Sequence, residues 1–207
     1  MIDDLRRRLD AAWASDRPHS EKVAVAAAII SAVLHEAGMQ ATLVGGGAIE
    51  VHASEVYTTS DLDLIVEGKT RADLDAVLTR FGFVREGRHW VRGELFVEVP
   101  GNWMPDPVDV ISVDDLPLRV VRKEVVLADR IIGFKHWQAT AFGAQAIALL
   151  ALFRGTLDEA TLRERVKRED AEDALAGLSA LASSGAAVTE ESLQALLTRL
   201  HSAKTSS

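Results

Sequence analysis

The sequence lacks several features that mark whole classes of protein. It has no cysteine among its 207 residues, which excludes a disulfide framework and a thiolate metal site and suits a reducing compartment. No apolar run approaches the roughly 18–20 residues of a membrane span. The apolar run Val23–Leu34 is shorter and predicts a buried helix. We therefore expect a cytoplasmic protein with no membrane-spanning segment.

Positive charge is also scarce. Lysine and arginine number 23 against 31 aspartates and glutamates, for a net charge of −8. This balance argues against a large non-specific surface for nucleic acid. Net charge describes solubility more than sites, so one local basic patch remains compatible with it.

What the sequence does contain is a glycine cluster followed by a pair of aspartates. Residues 43–44 form the end of an apolar run that leads directly into Gly45, Gly46 and Gly47. Glycines at the start of a helix let bare N–H groups approach a phosphate. Asp61 and Asp63 then alternate with leucines in a predicted strand, so both carboxylates point to one face. Paired carboxylates favour a shared divalent cation such as Mg²⁺.

The order of predicted elements indicates an α+β fold, with a small mixed sheet flanked by helices. Strands are predicted at 41–44 and 61–66, a short helix at 47–54, and a helix at 70–81. Three short runs at 83–85, 89–92 and 95–99 predict a β-meander. A further pair of strands is predicted at 108–113 and 118–122. After Glu124 the pattern becomes helical. We expect a core at 1–124 and a helical bundle at 125–207 packed on it.

A cation site of this kind usually needs a third acid from a neighbouring strand. Glu98 is the preferred candidate, because it is an acid within the apolar run Phe96–Pro100, where a lone buried carboxylate would be costly. Asp109, within Val108–Ile111, is the alternative that the sequence leaves open.

These motifs resemble those of the nucleotidyltransferase superfamily of the DNA polymerase β type. The glycines and aspartates carry the resemblance. A narrower resemblance, to minimal nucleotidyltransferase-like proteins related to AbiEii toxins, rests on the stretches 44–48, 57–64, 97–101 and 127–130. In the superfamily a serine commonly follows or replaces the second glycine and holds a phosphate. Here Gly46 and Gly47 stand instead, so the resemblance implies phosphate binding by backbone N–H groups, helped by Thr59 or Ser60.

The resemblance also implies roles for the acids and for one base. Asp61, Asp63 and Glu98 would be ligands of Mg²⁺ or Mn²⁺, and the glycines would face the triphosphate of a nucleoside triphosphate (NTP). Related toxins direct a basic residue of the helical half toward the phosphates, which makes Lys135 a candidate; the alternative is an ordinary surface lysine.

Two functions remain open at this point. The first is a metal-dependent nucleotidyltransferase that moves a nucleoside monophosphate from an NTP to an acceptor hydroxyl on a tRNA end, a protein or a small molecule. The resemblance suggests a toxin with a cognate antitoxin as its partner. The second is a non-catalytic nucleotide-binding or regulatory protein that keeps the same fold.

Overall fold

The computed structural model describes residues 2–54 and 56–204. The backbone divides into two compact units, Met1–Arg122 and Lys123–Ser207. The elements of the first unit, in order, are α1 (Ile2–Ala14), α2 (His19–Glu36), β1 (Gln40–Val44), α3 (Gly45–His52), β2 (Asp61–Glu67), α4 (Arg71–Phe81), β3 (Val84–Glu86), β4 (His89–Arg92), β5 (Leu95–Gly101), β6 (Val108–Val113) and β7 (Leu116–Val121). Those of the second are α5 (Lys123–Trp137), α6 (Thr140–Leu152), α7 (Glu159–Arg168), α8 (Glu172–Ser183) and α9 (Glu190–Lys204). The predicted α+β class is confirmed.

The strands of the first unit form one mixed sheet in the order β3-β4-β5-β2-β1-β7-β6. Strand β2 runs antiparallel to β1 and parallel to β5, and β1 runs parallel to β7. Strands β3, β4 and β5 are joined by antiparallel pairing, which confirms the predicted meander. The strand that carries the two aspartates therefore lies near the middle of the sheet.

The sheet has one apolar face, and helices cover it. Along β2 burial alternates, with Leu62, Leu64 and Val66 buried and the intervening residues half-buried. Helix α2 is buried along most of its length and packs against β1, β7 and α3. The alternation of one strand thus fixes which face joins the core and leaves the aspartates on the other.

Helix α4 begins with a capping box. The Thr70 side chain accepts a hydrogen bond from the Asp73 N–H, and the Asp73 carboxylate accepts one from the Thr70 N–H. The Thr70 hydroxyl also donates a hydrogen bond of 2.7 Å to the Asp73 carboxylate. This bond and the one from the Thr70 N–H favour the ionised acid and hold the pKa of Asp73 below its ordinary value. The helix ends at Gly82 in the left-handed conformation. Both caps satisfy backbone groups that a helix end leaves unpaired.

The predicted bounds of the short helix at 47–54 were wrong, since it runs over Gly45–His52. All three glycines therefore lie in its first turn. Helix α8 begins at Glu172, after the chain turns at Asp170, whose φ is +50°. Along residues 2–54 and 56–204, no helix has the length and apolarity to cross a membrane.

Candidate metal and nucleotide site

The structure places Asp61 and Asp63 on the sheet face opposite the helical core. Both side chains are half-buried, while Leu62 and Leu64 between and beyond them are buried. Since side chains of a strand alternate between faces, the two carboxylates project the same way. The sheet thereby brings two negative charges to one partly solvated surface.

Glu98 lies on the same face as the aspartates. Strand β5 pairs in parallel with β2, and the register places Glu98 opposite Asp63 and Phe96 opposite Asp61. The Glu98 side chain is 18% exposed. Paired residues of neighbouring strands have side chains on the same side of the sheet, so three carboxylates share this surface.

Asp109, the alternative third acid, lies on the other face. It pairs with Val120, and Val120 pairs with Leu43, which is fully buried in the core. Its carboxylate instead contacts Arg122, with 3.2 Å between Oδ1 and Nε. The register of the strands therefore separates Asp109 from Asp63.

The first glycine of the cluster is required by its surroundings. Gly45 has a φ of +60°, and a Cβ there would lie 2.2 Å from Oδ2 of Asp63. Left-handed backbone is costly for a residue with a side chain, and the contact leaves no room for one. The Asp63 carboxylate can therefore lie against the start of α3 only if residue 45 is glycine.

The other two glycines are also closely surrounded. A Cβ at Gly46 would lie 2.8 Å from both Thr59 Oγ1 and Tyr57 Cε1, and one at Gly47 would lie 3.0 Å from Cδ1 of Leu43. A serine at position 46 would displace its neighbours. The packing thus favours glycine at position 46.

Thr59 supports Asp61, and Ser60 faces solvent. The buried Thr59 hydroxyl lies 2.9 Å from the carbonyl oxygen of Asp61 and 3.1 Å from its Oδ1. Ser60 is exposed. Thr59 therefore orients a carboxylate in this structure, and the exposed hydroxyl-bearing residues beside it are Thr58 and Ser60.

Glu50 and His19 hold Thr59 in turn, and neither is among the predicted site residues. Glu50 is 2% exposed, and its carboxylate accepts a hydrogen bond of 2.8 Å from the Thr59 N–H. His19 Nε2 lies 2.9 Å from the Thr59 carbonyl oxygen. An acid within the apolar stretch Ala48–Val51 was the available signal, because such an acid needs a partner when buried.

His89 is a third residue that sequence reasoning missed. It pairs with Glu98 across β4 and β5, and its Nε2 lies 3.4 Å from Glu98 Oε2. Arg88 Nε lies 3.3 Å from the same oxygen. Among the described residues, Asp61, His89 and Glu98 each offer one ligand atom within 4.8 Å of the others.

This donor set fits a divalent cation. Two carboxylate oxygens and one imidazole nitrogen are common ligands of divalent ions, and Asp63 adds a further carboxylate on the same face. The residues therefore suit the metal that the resemblance implies, and His89 adds a nitrogen to the expected carboxylates.

Lys135 lies within the second unit, on α5. Its side chain is 4% exposed and donates a hydrogen bond of 2.6 Å to Asp173 Oδ1. It also donates to the carbonyl oxygen of Asp170. The alternative of an ordinary surface lysine is therefore wrong, and these contacts occupy the ammonium within the helical unit.

Comparison of the sequence with protein-family models and with curated proteins finds no match. Two solved structures are similar. An antigenic nucleotidyltransferase-like protein from Paracoccidioides brasiliensis matches with a TM-score of 0.54 and 15% identity, covering 76% of this chain and 94% of that one. The antibiotic-resistance factor ANT(2'')-Ia aligns with a TM-score of 0.37 and 14% identity, covering 86% of this chain and 90% of that one. The first likeness shows that the fold is nucleotidyltransferase-like.

Proposed function

We propose that this protein is a metal-dependent nucleotidyltransferase that moves a nucleoside monophosphate from an NTP to an acceptor hydroxyl. The observation that supports it most is the shared sheet face of Asp61, Asp63 and Glu98 beside the glycine start of α3. This arrangement joins carboxylates for a cation to backbone donors for phosphate, which are the two requirements of phosphoryl-type transfer.

Each part of the site has a separate role in this proposal. The N–H groups of Gly45, Gly46 and Gly47 bind the triphosphate, since the first turn of a helix has unpaired donors. Asp61, Asp63 and Glu98 would hold Mg²⁺ or Mn²⁺. When bound, such an ion neutralises phosphate charge and lowers the pKa of the attacking hydroxyl.

The reaction that these residues would serve is an in-line displacement. The acceptor oxygen forms a bond to the α-phosphorus, and the bond from that phosphorus to the bridging oxygen breaks, releasing pyrophosphate. The acceptor proton passes to the Glu98 carboxylate or, through it, to water. Glu98 suits this role because its side chain is only partly buried and faces the aspartates.

We also propose a setting for this activity, which rests on the motif resemblance. The acceptor would be a tRNA end, a protein side chain or a small molecule, and the protein a cytoplasmic toxin related to AbiEii with a cognate antitoxin. The chemistry would belong to residues 1–124, and residues 125–207 would form an accessory helical region. Lys135 would contact phosphate only if its bond to Asp173 opened, so its contacts favour a structural role.

A labelling experiment tests the proposal. The full chain is incubated with each α-labelled NTP, Mg²⁺ or Mn²⁺, and cell extract, and transfer of label to any acceptor is followed. Asp63→Asn removes one site carboxylate, whereas Asp109→Asn removes an acid on the opposite sheet face and serves as the matched control. We expect label with wild type and Asp109→Asn and none with Asp63→Asn. Equal labelling by the wild type and both variants would contradict the proposal.

A second candidate is a nucleotide-binding regulator without turnover. The observation that favours it is the engagement of Glu98, whose Oε2 is contacted by both Arg88 and His89. Calorimetry with ATP, CTP, GTP and UTP separates the two readings. Tight binding of one nucleotide with no labelling of any acceptor would favour the regulator.

A further inference from the structure

The β3–β4–β5 hairpins bring an imidazole to the carboxylate face. His89 lies directly opposite Glu98 in the antiparallel β4–β5 pair, and its side chain is 26% exposed. Asp61 reaches the same point from β2, on the other side of β5. Residues from three adjacent strands therefore converge, although they are far apart in the sequence.

The distances suit a common ion. Two ligand atoms that each lie about 2.1 Å from one ion are about 3.0–3.4 Å apart at octahedral or tetrahedral angles. The His89 Nε2 to Glu98 Oε2 separation is 3.4 Å, and all three ligand atoms lie within 4.8 Å of one another. Small side-chain rotations of half-buried residues would bring Asp61 into the same shell.

Neighbouring side chains orient two of the three ligands. The Thr59 hydroxyl lies 3.1 Å from Asp61 Oδ1, and Glu50 fixes the Thr59 backbone. The Phe96 ring meets the His89 ring edge-on, with 6.3 Å between centroids. Such supporting contacts set ligand orientation in metal sites and affect metal affinity.

We infer that His89 is a metal ligand together with Asp61 and Glu98, and that the site therefore prefers a divalent transition-metal ion, Mn²⁺ or Co²⁺, over Mg²⁺. Imidazole suits transition metals, whereas Mg²⁺ prefers oxygen ligands. The inference shares two carboxylates with the proposed function and goes beyond it in assigning the nitrogen ligand and the choice of metal.

Substitutions of Arg88 and of its neighbour His89 are expected to change metal binding in opposite directions. The Arg88 guanidinium is 73% exposed and lies 3.3 Å from the Glu98 oxygen that His89 also contacts. The positive charge of Arg88 competes with a metal ion for the Glu98 carboxylate and also repels the metal ion. Arg88→Gln is therefore expected to strengthen metal binding, whereas His89→Gln is expected to weaken it. If His89 were only a second positive neighbour of Glu98, both changes would strengthen binding.

The test measures metal binding directly, without nucleotide. The metal-free full chain is titrated with Mn²⁺ while the electron paramagnetic resonance signal of free Mn²⁺ is followed, and Mg²⁺ is added in competition. We expect one bound Mn²⁺ that Mg²⁺ displaces poorly, and at least about a tenfold loss of Mn²⁺ affinity in His89→Gln. His35→Gln, at an exposed histidine of α2, controls for adventitious binding.

Pulsed electron paramagnetic resonance of the wild-type Mn²⁺ complex needs no variant. We expect coupling to a directly bound nitrogen, which His89→Gln removes and His35→Gln retains. Absence of nitrogen coupling in wild type, or unchanged Mn²⁺ affinity in a folded His89→Gln, would overturn the inference. The metal titration contains no nucleotide, so it tests the metal site separately from the proposed activity. Nucleotidyl transfer can fail although His89 binds the metal ion. Equally, transfer can succeed with Mg²⁺ although His89 is no ligand.

Discussion

Gly45 and Asp63 share a space that has no room for a second side chain. The Asp63 carboxylate occupies the position where a Cβ on residue 45 would lie, and the backbone of Gly45 is left-handed. The glycine thus has two functions at once, since it forms the turn from β1 into α3 and it makes room for a candidate ligand. The two requirements can be separated by experiment.

Gly45→Ala and Gly93→Ala form a matched pair for this purpose. Both glycines have a φ of +60°, but a Cβ at Gly93 would meet nothing within 4 Å. We expect Gly93→Ala to lower the free energy of unfolding by about 1–2 kcal/mol, the cost of left-handed backbone. Gly45→Ala should cost clearly more and should also weaken Mn²⁺ binding, because it displaces Asp63.

Denaturant unfolding and a Mn²⁺ titration measure both effects. Equal unfolding free energies for the two variants, with Mn²⁺ affinity retained in Gly45→Ala, would show that Asp63 does not depend on the close approach to residue 45.

The individual site residues differ in how far the sequence predicts them. Asp61 and Asp63 follow from alternation within one strand, which is a local property. His89 does not, because its place beside Glu98 depends on the pairing of β4 with β5 and on a hairpin turn. The role of Glu50 likewise does not follow from the sequence, because its bond to the Thr59 N–H forms only when the loop that carries Thr59 folds back on it.

At the scale of elements, strand register decides which acid joins the site. Glu98 and Asp109 are both acids within apolar strands, and the sequence alone leaves the choice between them open. The parallel pairing of β5 with β2 places Glu98 opposite Asp63. The chain of pairs from β1 through β7 to β6 places Asp109 on the core side. A shift of one residue in either register would exchange the two faces.

Within the second unit, Lys135 joins α5 to the turn that precedes α8. Its side chain is 4% exposed, whereas its partner Asp173 is 44% exposed. Removing the partner of a buried charge costs about 3–5 kcal/mol when the charge is left uncompensated. Oδ2 of Asp170 remains 3.7 Å from the Lys135 Nζ, so we expect the lower end of that range, whereas leaving a solvated charge alone costs little. We therefore expect Asp173→Ala to be more destabilising than Lys135→Met, which retains the length of the side chain.

Thermal and denaturant unfolding of both variants provide the measurement. We expect a loss of about 3 kcal/mol for Asp173→Ala and about 1 kcal/mol or less for Lys135→Met. The reverse order would mean that the ammonium contributes through the Asp170 carbonyl and not through the carboxylate. Labelling activity retained in Lys135→Met would support the structural role.

At the scale of the whole molecule, the net charge of −8 sets the long-range field. An acidic chain releases few counterions from a nucleic acid backbone, so non-specific binding should be weak. We expect the dissociation constant for a labelled duplex DNA to lie above about 10⁻⁴ M at physiological salt. Fluorescence anisotropy at low and moderate salt measures it. Micromolar binding that falls steeply with salt would contradict this expectation.

Local patterns in the sequence predict the order of helices and strands and place two aspartates on one face of a strand. Periodicity separates a sheet-bearing part from a helical part, and glycines followed by alternating aspartates indicate a cation and phosphate site. These are local properties, because alternation and helical spacing depend on neighbouring residues.

Which distant residues meet depends on the folded chain as a whole. The fold places Glu98 with the aspartates, Asp109 away from them, His89 beside Glu98, and Lys135 against Asp173. The physical reason is that strand order and register arise from the packing of the whole sheet on its helices, and no local pattern specifies them.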